Sequence, residues 1–561
     1  MGLYKDLPGS TIRLLDIHPG EGTEPLTLSL SPVSLDSLPA YEAISYHWGP
    51  VTDVVPVILF GALSQFRLAD RQRTLWADAI CINQTHLAEK DEARVLLHLP
   101  EWVQETRALL PPPLAAFDAP NAMLQFQKLL ADALQRRREG KSNLYDHDWK
   151  PLVTLVAWPW FRRKWIVQEV VLAREAVLCI GHARLSWTEL ALLAYTMSTF
   201  ELVTVAGRQQ PMDAYWVFAM PMNNITFILE ISQYRQHATL MDGIMATNHF
   251  LCTVEHDHIY ALLGLQFKNI SIKADYEIPA AESFVRFAKG ILLEGRSLKV
   301  LGLAPYKSLL RVPDTERLPL PSWVPDLRYN QHIATLVSFS VLKQRFHAGG
   351  RGKPIISLSE NGLVLHARGR IIDTVTALPL TWVDVLQPDH PEARSNIDIL
   401  ELGTKGHVNA PPNKWLLDCY NLAVRNITRP EAELMSAFAH TMVCNMNSRE
   451  GLAEPGILNS FSEYLASLPG NVATPDKERA PNPHFMPICT AVTQAAGGRA
   501  FCITEQQCDR ICILTGGETP YMIRPTEYGR YRLIGEAYVD GVMDGEALGD
   551  AKYQDEEIQI E

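Results

Sequence analysis

The first 190 residues alternate short apolar runs with amphipathic stretches, and this alternation limits the possible folds more than any other feature of the chain. Strands are predicted at Ile12–Ile17, Tyr41–Tyr46, Thr74–Ile82 and Ala176–Ile180, and a helix at Phe161–Leu172. Strands that alternate with helices are typical of an α/β domain, in which helices cover a mainly parallel sheet. We therefore predict an α/β domain over residues 1–190.

The remaining sequence is predicted to form further units, because a single hydrophobic core stops growing at roughly 250 to 300 residues and this chain has 561. A helical region is predicted over residues 191–340. A C-terminal α+β, β-rich region follows over 341–548, with a helical insertion at about 410–470. Residues 549–561 are an acidic tail that is predicted to be frayed.

Charge and composition exclude several classes of protein. The net charge of −12 lacks the basic surface that a nucleic-acid binder needs. The most apolar stretch, Ala214–Ile231, contains Pro221 and Glu230, so no membrane span is predicted. The N-terminus has no secretory signal, and nine cysteines without paired spacing indicate reduced thiols. The predicted location is cytoplasmic.

Three sequence blocks occur in order within the first 190 residues: YEAISYHWG at 41–49, LWADAICINQ at 75–84 and RKWIVQE at 163–169. Together they resemble the fungal heterokaryon incompatibility (HET) domain family. Three further stretches extend the resemblance over nearly the whole chain, at Asp257–Leu265, Ser322–Asp326 and Tyr531–Glu546.

The resemblance implies a domain similar to the TIR fold, whose members signal cell death by self-association and in some cases cleave NAD. It implies a role in fungal self/non-self recognition and in the programmed cell death that follows fusion of incompatible cells. Other incompatibility or signalling proteins are the implied partners, together with a homo-oligomer formed through the HET domain. NAD is a candidate substrate, and no other cofactor and no metal is expected.

Candidate site residues follow from the same blocks. In an open α/β sheet, polar residues just past the carboxyl ends of strands face the ligand crevice. The predicted ligand-binding residues are Trp48, Gly49, Asn83, Gln84, Trp165 and Gln168. Glu169 and Asp78 are the predicted catalytic residues, because a carboxylate could stabilise the oxocarbenium-like transition state that forms as nicotinamide leaves, by analogy with glycoside cleavage.

Each of these residues also has a structural interpretation. Asp78 could form a buried salt bridge with a partner such as Arg163, and Glu169 could pair with a neighbouring cation. The two amides could cap the following helix, and the tryptophans could belong to the core. Cys81 is expected to be an inert buried thiol. The EHDH stretch at 255–258 lacks further ligands for a metal, so we expect a structural role for it.

Three segments, near residues 60–75, 85–105 and 501–512, are shorter than the family pattern leads us to expect. One explanation is degeneration of the domain, and the other is a gene model from which coding sequence was removed as intron. The sequence therefore leaves three hypotheses open: a death-signalling protein, an NAD glycohydrolase, and an inactive interaction module.

Overall fold

The computed structural model describes thirteen stretches of the chain and three single positions. These are residues 11–21, 24–34, 39–45, 56–82, 150–180, 183–199, 212–268, 272–304, 317–328, 346–375, 419–425, 430–442 and 508–561, with positions 4, 7 and 37.

The chain divides into two compact units. The first unit consists of Met1–Arg235, Phe250–Gln266 and Lys273–Glu277, and the second of Gln236–His249, Phe267–Ile272 and Ile278–Glu561. Residues 191–340, predicted as a separate helical region, are therefore shared between the two units. The boundaries predicted at 190, 340 and 548 stay a prediction.

Eleven helices are named in the described stretches. They are α1 (Pro56–Phe66), α2 (Asp78–Cys81), α3 (Lys150–Val156), α4 (Trp165–Leu172), α5 (Trp187–Thr199), α6 (Met212–Tyr234), α7 (Leu240–Ala246), α8 (Asp257–Tyr260), α9 (Ala280–Lys289), α10 (Lys299–Gly302) and α11 (Glu431–Met442). Residues 419–425 are also helical, so described parts of the predicted insertion at 410–470 are helical as expected.

The first unit contains a four-stranded sheet. Its strands are β1 (Thr11–Ile17), β2 (Leu28–Ser34), β3 (Glu42–Ala43) and β4 (Arg73–Trp76), in the spatial order β2-β1-β4-β3. Strand β1 is antiparallel to both neighbours, and β3 is parallel to β4. One described pairing is parallel and two are antiparallel, so the mainly parallel TIR-like sheet with flanking helices stays a prediction.

The core of this unit forms where α1 packs on the sheet. Strand β1 buries Leu14, Leu15 and Ile17, and α1 adds Leu59 and Leu63 to the same cluster. Burying an aliphatic side chain of this size stabilises the fold by about 1.5–3 kcal/mol. This packing fixes the sheet on which the motif residues stand.

Two predicted elements of the first unit differ from those observed. The predicted strand Thr74–Ile82 ends at Trp76, because the amides of Ile80 and Cys81 turn back to the carbonyl of Ala77 and begin α2. The predicted helix Phe161–Leu172 is a 3₁₀ turn at Pro159–Arg162 followed by α4. Between them, the Lys164 amide donates to the carbonyl of Leu251 and the Leu251 amide to that of Arg162, which interrupts the helical pattern.

A short hairpin follows α4 in the first unit. Strand β5 (Val177–Ile180), close to the predicted strand Ala176–Ile180, pairs antiparallel with β6 (Ala183–Ser186), and the two form a separate two-stranded sheet.

The second unit contains a six-stranded sheet, of which five strands close into a ring. Its strands are β7 (Ile356–Leu358), β8 (Leu365–Thr374), β9 (Arg510–Leu514), β10 (Tyr521–Pro525), β11 (Tyr531–Glu536) and β12 (Glu556–Ile560). Strands β8 to β12 pair in sequence order, and β12 pairs back onto β8, while β7 lies beside one part of β8. The described residues of the region predicted to be β-rich contain these six strands, and a closed ring removes the edges at which sheets associate.

The prediction of a frayed acidic tail is wrong. Residues 556–560 form β12, which pairs with β8 along its whole length. Ile558 and Ile560 alternate with polar residues, and both side chains are completely buried. This period-two pattern buries the face of the strand that carries Ile558 and Ile560, and it places Glu557 and Gln559 on the opposite face.

No helix in the described stretches is long and apolar enough to cross a membrane.

Candidate functional site

The third motif block lies on α4 in the first unit. This helix buries Ile166, Val167 and Val171, and its preceding turn buries Phe161. Glu169 lies on a different side of the helix from these apolar residues, and its side chain is 23% exposed. The block therefore combines a packed face with a carboxylate that solvent can reach.

The first motif block brings Ser45 to this carboxylate. Strand β3 pairs with β4, and the Ile44 amide donates to the carbonyl of Trp76 at 2.9 Å, which fixes the chain just before Ser45. The Ser45 hydroxyl donates to Oε2 of Glu169. The same hydroxyl accepts a hydrogen bond of 2.7 Å from Nε1 of Trp160.

The second motif block brings Asp78 near the same point. Because β3 and β4 are parallel, Ser45 and Asp78 both follow the carboxyl end of a strand at one edge of the sheet. The Asp78 carboxylate accepts from the Ala79 amide at 2.8 Å and is close enough to Glu169 to affect its ionisation. Ser45 and Asp78 therefore lie at the same edge of the sheet, and Ser45 contacts Glu169 of the third block.

Burial raises the pKa of Glu169 above its ordinary value, and the Asp78 charge raises it further. Two neighbours lower the pKa of Glu169. They are the Arg163 guanidinium, whose Nη2 lies 3.9 Å from Oε1 of Glu169, and the Ser45 hydroxyl. The ion pair that the sequence offered as a structural alternative for Glu169 is therefore present. It does not offset the desolvation of the carboxylate.

Two predicted ligand-binding residues have partners on other sides of α4. The Trp165 indole donates to Oδ2 of Asp257 at 2.9 Å, and Tyr276 donates to Oδ1 of the same carboxylate at 2.6 Å. The Gln168 side chain is fully buried and accepts from the Gly264 amide at 3.1 Å. A Cβ on Gly264 would lie 2.4 Å from Oε1 of Gln168, so this contact requires glycine.

These contacts give the DHIYALLGL stretch at 257–265 its role, which is to hold α4. Asp257 is buried and satisfied by two donors, and the described residues contain no group of three or more side chains suited to a metal. The structural role expected for the EHDH stretch agrees with this geometry. The assignment of Trp165 and Gln168 to ligand binding stays a prediction.

Four of the predicted ligand-binding residues, Trp48, Gly49, Asn83 and Gln84, lie outside the described residues.

Cys81 is a buried thiol at the end of α2, as expected. Its side chain is 2% exposed, and burial raises the pKa of the thiol to about 12. The sulfur accepts weakly from the Ala77 amide at 3.4 Å. A thiol that stays protonated at neutral pH is a poor nucleophile.

Sequence reasoning missed Ser45 and Trp160 as members of the site. Ser45 lies inside the first motif block, but a serine hydroxyl carries no pattern that separates it from its neighbours. Trp160 precedes the third block by three residues and belongs to a proline-led turn. Proximity to the blocks was the signal that could have identified both.

The geometry can be set beside known proteins. Residues 41–169 match the family model described as "Heterokaryon incompatibility protein (HET)", and residues 501–556 match the "Het-6 beta-barrel domain". A relative from Neurospora crassa, "Heterokaryon incompatibility protein 6, OR allele", is 21% identical over 663 aligned positions that cover 98% of this chain and 96% of the relative. No solved structure matches.

The chain carries a heterokaryon incompatibility (HET) domain over residues 41–169. The HET match begins at Tyr41 and ends at Glu169, so it contains Ser45, Asp78 and Arg163. The barrel match covers β9 to β11 and the first residue of β12. Strand β8, which closes the barrel, lies outside the match and far earlier in the chain of this HET-domain protein.

The alignment with the Neurospora protein bears on the short segments. It has 663 positions, more than the 561 residues of this HET-domain protein, so the relative contains sequence that this chain lacks.

Proposed function

We propose that the HET domain is an effector of fungal programmed cell death in self/non-self recognition, and that the Glu169 cluster is its functional centre. We define the cluster as Ser45, Asp78, Trp160, Arg163 and Glu169. The observation that supports this proposal is that side chains from all three motif blocks meet at one partly exposed carboxylate.

A purely structural role explains this cluster less well. A structural ion pair is stabilising when the carboxylate is well compensated, whereas Glu169 has a guanidinium at 3.9 Å and a second carboxylate nearby. Carboxyl groups whose pKa is raised by burial and by a like charge are concentrated at functional sites. The cluster therefore fits a site that acts on a ligand or partner.

The test is expression of the full chain from an inducible promoter in a fungal host. Wild-type protein is expected to reduce colony survival, and Glu169→Gln is expected to abolish this effect at equal protein level. Glu175→Gln is the matched control, because Glu175 is an exposed glutamate after α4 in the same unit. Killing by Glu169→Gln at the wild-type level would refute the role of the cluster.

NAD cleavage is the second candidate function. It is favoured by the Glu169 carboxylate beside a hydroxyl, since such a carboxylate can stabilise positive charge on the ribose as nicotinamide leaves. Purified full-length protein is then expected to release nicotinamide, and Glu169→Gln to abolish release. Death without nicotinamide release would favour a scaffold that recruits other proteins.

The third candidate, an inactive interaction module, is favoured by the sequence that the relative contains and this chain lacks. It predicts that the wild-type chain leaves host survival unchanged. Sequencing the transcript across codons 55 to 110 distinguishes degeneration of the domain from a gene-model error. Only if the gene model is in error would expression of the complete transcript restore killing.

The proposed partners are other incompatibility proteins and a second copy of the HET domain, acting in the cytoplasm. This part rests on the family and on the TIR-like fold proposed for the domain. Light scattering over a range of protein concentrations tests self-association, and a mass that stays that of the monomer would exclude it.

A further inference from the structure

A cavity of about 180 Å³ lies in the second unit, away from the residues of the HET match. Three segments line it: residues 296–299, the glycine-rich loop 350–354, and residues 516, 518 and 521 near the start of β10. We call this cavity the barrel pocket. It plays no part in the function proposed for the Glu169 cluster.

Four cations and one carboxylate, Glu518, line the barrel pocket. Arg296, Arg351 and Lys353 are exposed and have no ion-pair partner among the residues that the structure describes. The fourth cation, Lys299, lies 3.1 Å from Oδ1 of Asp242 and 3.9 Å from Oε1 of Glu518. In a protein of net charge −12, three unpaired cations around one cavity form a local positive field.

The backbone of the loop is held in place by glycines. Gly516 has a φ of +75°, and a Cβ there would lie 2.6 Å from the carbonyl oxygen of Gly352. The amide of Gly516 donates to the carbonyl of Gly349 at 2.8 Å. Only glycine allows this close approach, which positions Arg351 and Lys353 at the mouth of the pocket.

Two of the side chains that line the pocket are uncharged and closely packed. Tyr521 and Leu298 are 1% and 3% exposed, and the tyrosine hydroxyl lies 3.5 Å from the carbonyl oxygen of Leu298. Arg296, at the rim, has a φ of +46°, a conformation that non-glycine residues seldom adopt. Such backbone conformations occur preferentially at ligand sites. The pocket thus combines packed side chains with a cationic rim.

We propose that the barrel pocket binds the phosphate group of a small, soluble phosphomonoester. Guanidinium groups pair with phosphate through two parallel hydrogen bonds, and an ammonium adds a point charge. The volume corresponds to about six water molecules and is below the roughly 300–1,000 Å³ of pockets that hold drug-sized ligands. It suits a phosphate with a few carbon atoms, and it is too small for a whole dinucleotide.

The test is isothermal titration calorimetry of the full chain with glycerol 3-phosphate and inorganic phosphate, and with glycerol at matched ionic strength. The pocket variant is Arg351→Gln with Lys353→Gln. The matched control is Arg532→Gln with Lys552→Gln, which removes two exposed positive charges from the same unit outside the pocket. Circular dichroism checks that both variants are folded.

Both phosphate probes are expected to bind the wild type, and the pocket variant to lose affinity by about tenfold or more because it loses charge-assisted hydrogen bonds. The control is expected to bind like the wild type, and glycerol not at all. Absence of binding by both phosphate probes, or equal losses in the two variants, would overturn the proposal.

A second variant changes affinity in the opposite direction. Glu518→Gln removes the carboxylate closest to the phosphate site and frees Lys299 from one of its two counter-charges. A several-fold rise in phosphate affinity is expected, which a merely damaged pocket would not give. Binding to phosphatidic acid vesicles without binding to glycerol 3-phosphate would assign the cations to a membrane surface and overturn the soluble ligand.

Discussion

One buried carboxylate in the second unit, the barrel unit, and the Glu169 carboxylate in the first unit, the HET unit, are compensated in different ways. In the barrel, the Asp509 carboxylate is 1% exposed and accepts two hydrogen bonds from Arg524, of 2.8 and 2.9 Å. In the HET unit, Glu169 has its guanidinium partner at 3.9 Å, and Lys164 is buried with a pKa lowered to about 8 by desolvation.

How well a buried charge is compensated by its partners decides whether it stabilises the fold or is available for function. A buried charge that is matched by a bidentate partner holds a fold together, whereas one that is poorly compensated costs free energy and is available for chemistry. We infer that the Asp509–Arg524 pair stabilises the barrel, and that the HET unit keeps a stability cost at Lys164 and Glu169. The following predictions test that contrast.

The largest expected effect comes from breaking the buried pair in the barrel. Arg524→Met leaves the Asp509 carboxylate buried without its guanidinium, which should lower the free energy of unfolding by about 3–5 kcal/mol. Hydrogen exchange of the β9 and β10 amides measures the loss. Arg530→Met is the control, because its guanidinium is 43% exposed and lies 3.6 Å from Glu561. Equal protection in the two variants would contradict the contrast.

The closing strand should be nearly as sensitive. Ile558→Ala leaves a cavity in the barrel and should cost about 2–5 kcal/mol, since the side chain is completely buried. Glu557→Ala, on the outward face of the same strand, loses only exposed contacts such as that with His366 and should change stability by a small fraction of that amount. Hydrogen-exchange protection of the β8 amides distinguishes the two variants. If Ile558→Ala keeps wild-type protection, β12 does not close the barrel.

The buried lysine of the HET unit should have the reverse effect. Lys164→Met removes an uncompensated charge and should raise the free energy of unfolding at pH 7 by about 1–3 kcal/mol. In the folded wild type the ammonium loses its proton near pH 8, whereas in the unfolded chain it keeps it to about 10.5. Between these values the unfolded chain binds more protons, so wild-type stability rises with pH.

The advantage of Lys164→Met should therefore shrink between pH 8 and pH 10.5. Hydrogen exchange of α4 amides over this range is the measurement. Lys273→Met, which removes an exposed lysine from the same unit, should show no such trend. A difference that is constant with pH would show that Lys164 is already compensated in the fold.

The sequence predicted elements well where one local pattern dominates. Strand β1 is observed almost as predicted, because a compact apolar run has few alternatives in an α/β domain. Asp78 lies at an edge of the sheet just past the end of a strand, because the carboxyl ends of the parallel strands β3 and β4 coincide there.

Features that depend on distant partners were not predictable. The apolar run around Asp78 resembles a strand, yet its end folds into α2 through backbone bonds to Ala77. The alternation of Ile558 and Ile560 was hidden by the acidic residues before them, and the partner strand β8 lies far earlier in the chain. Ser45 was missed because its importance comes only from Glu169 and Trp160.

The most direct test of the central claim uses one variant from each motif block. Ser45→Ala, Asp78→Asn and Glu169→Gln should each reduce stability little, because all three side chains are partly exposed. Colony survival on expression of each full-length variant is the measurement. We predict that all three variants lose killing while their α4 amides keep wild-type protection. Wild-type killing by any one of these folded variants would contradict a shared functional centre.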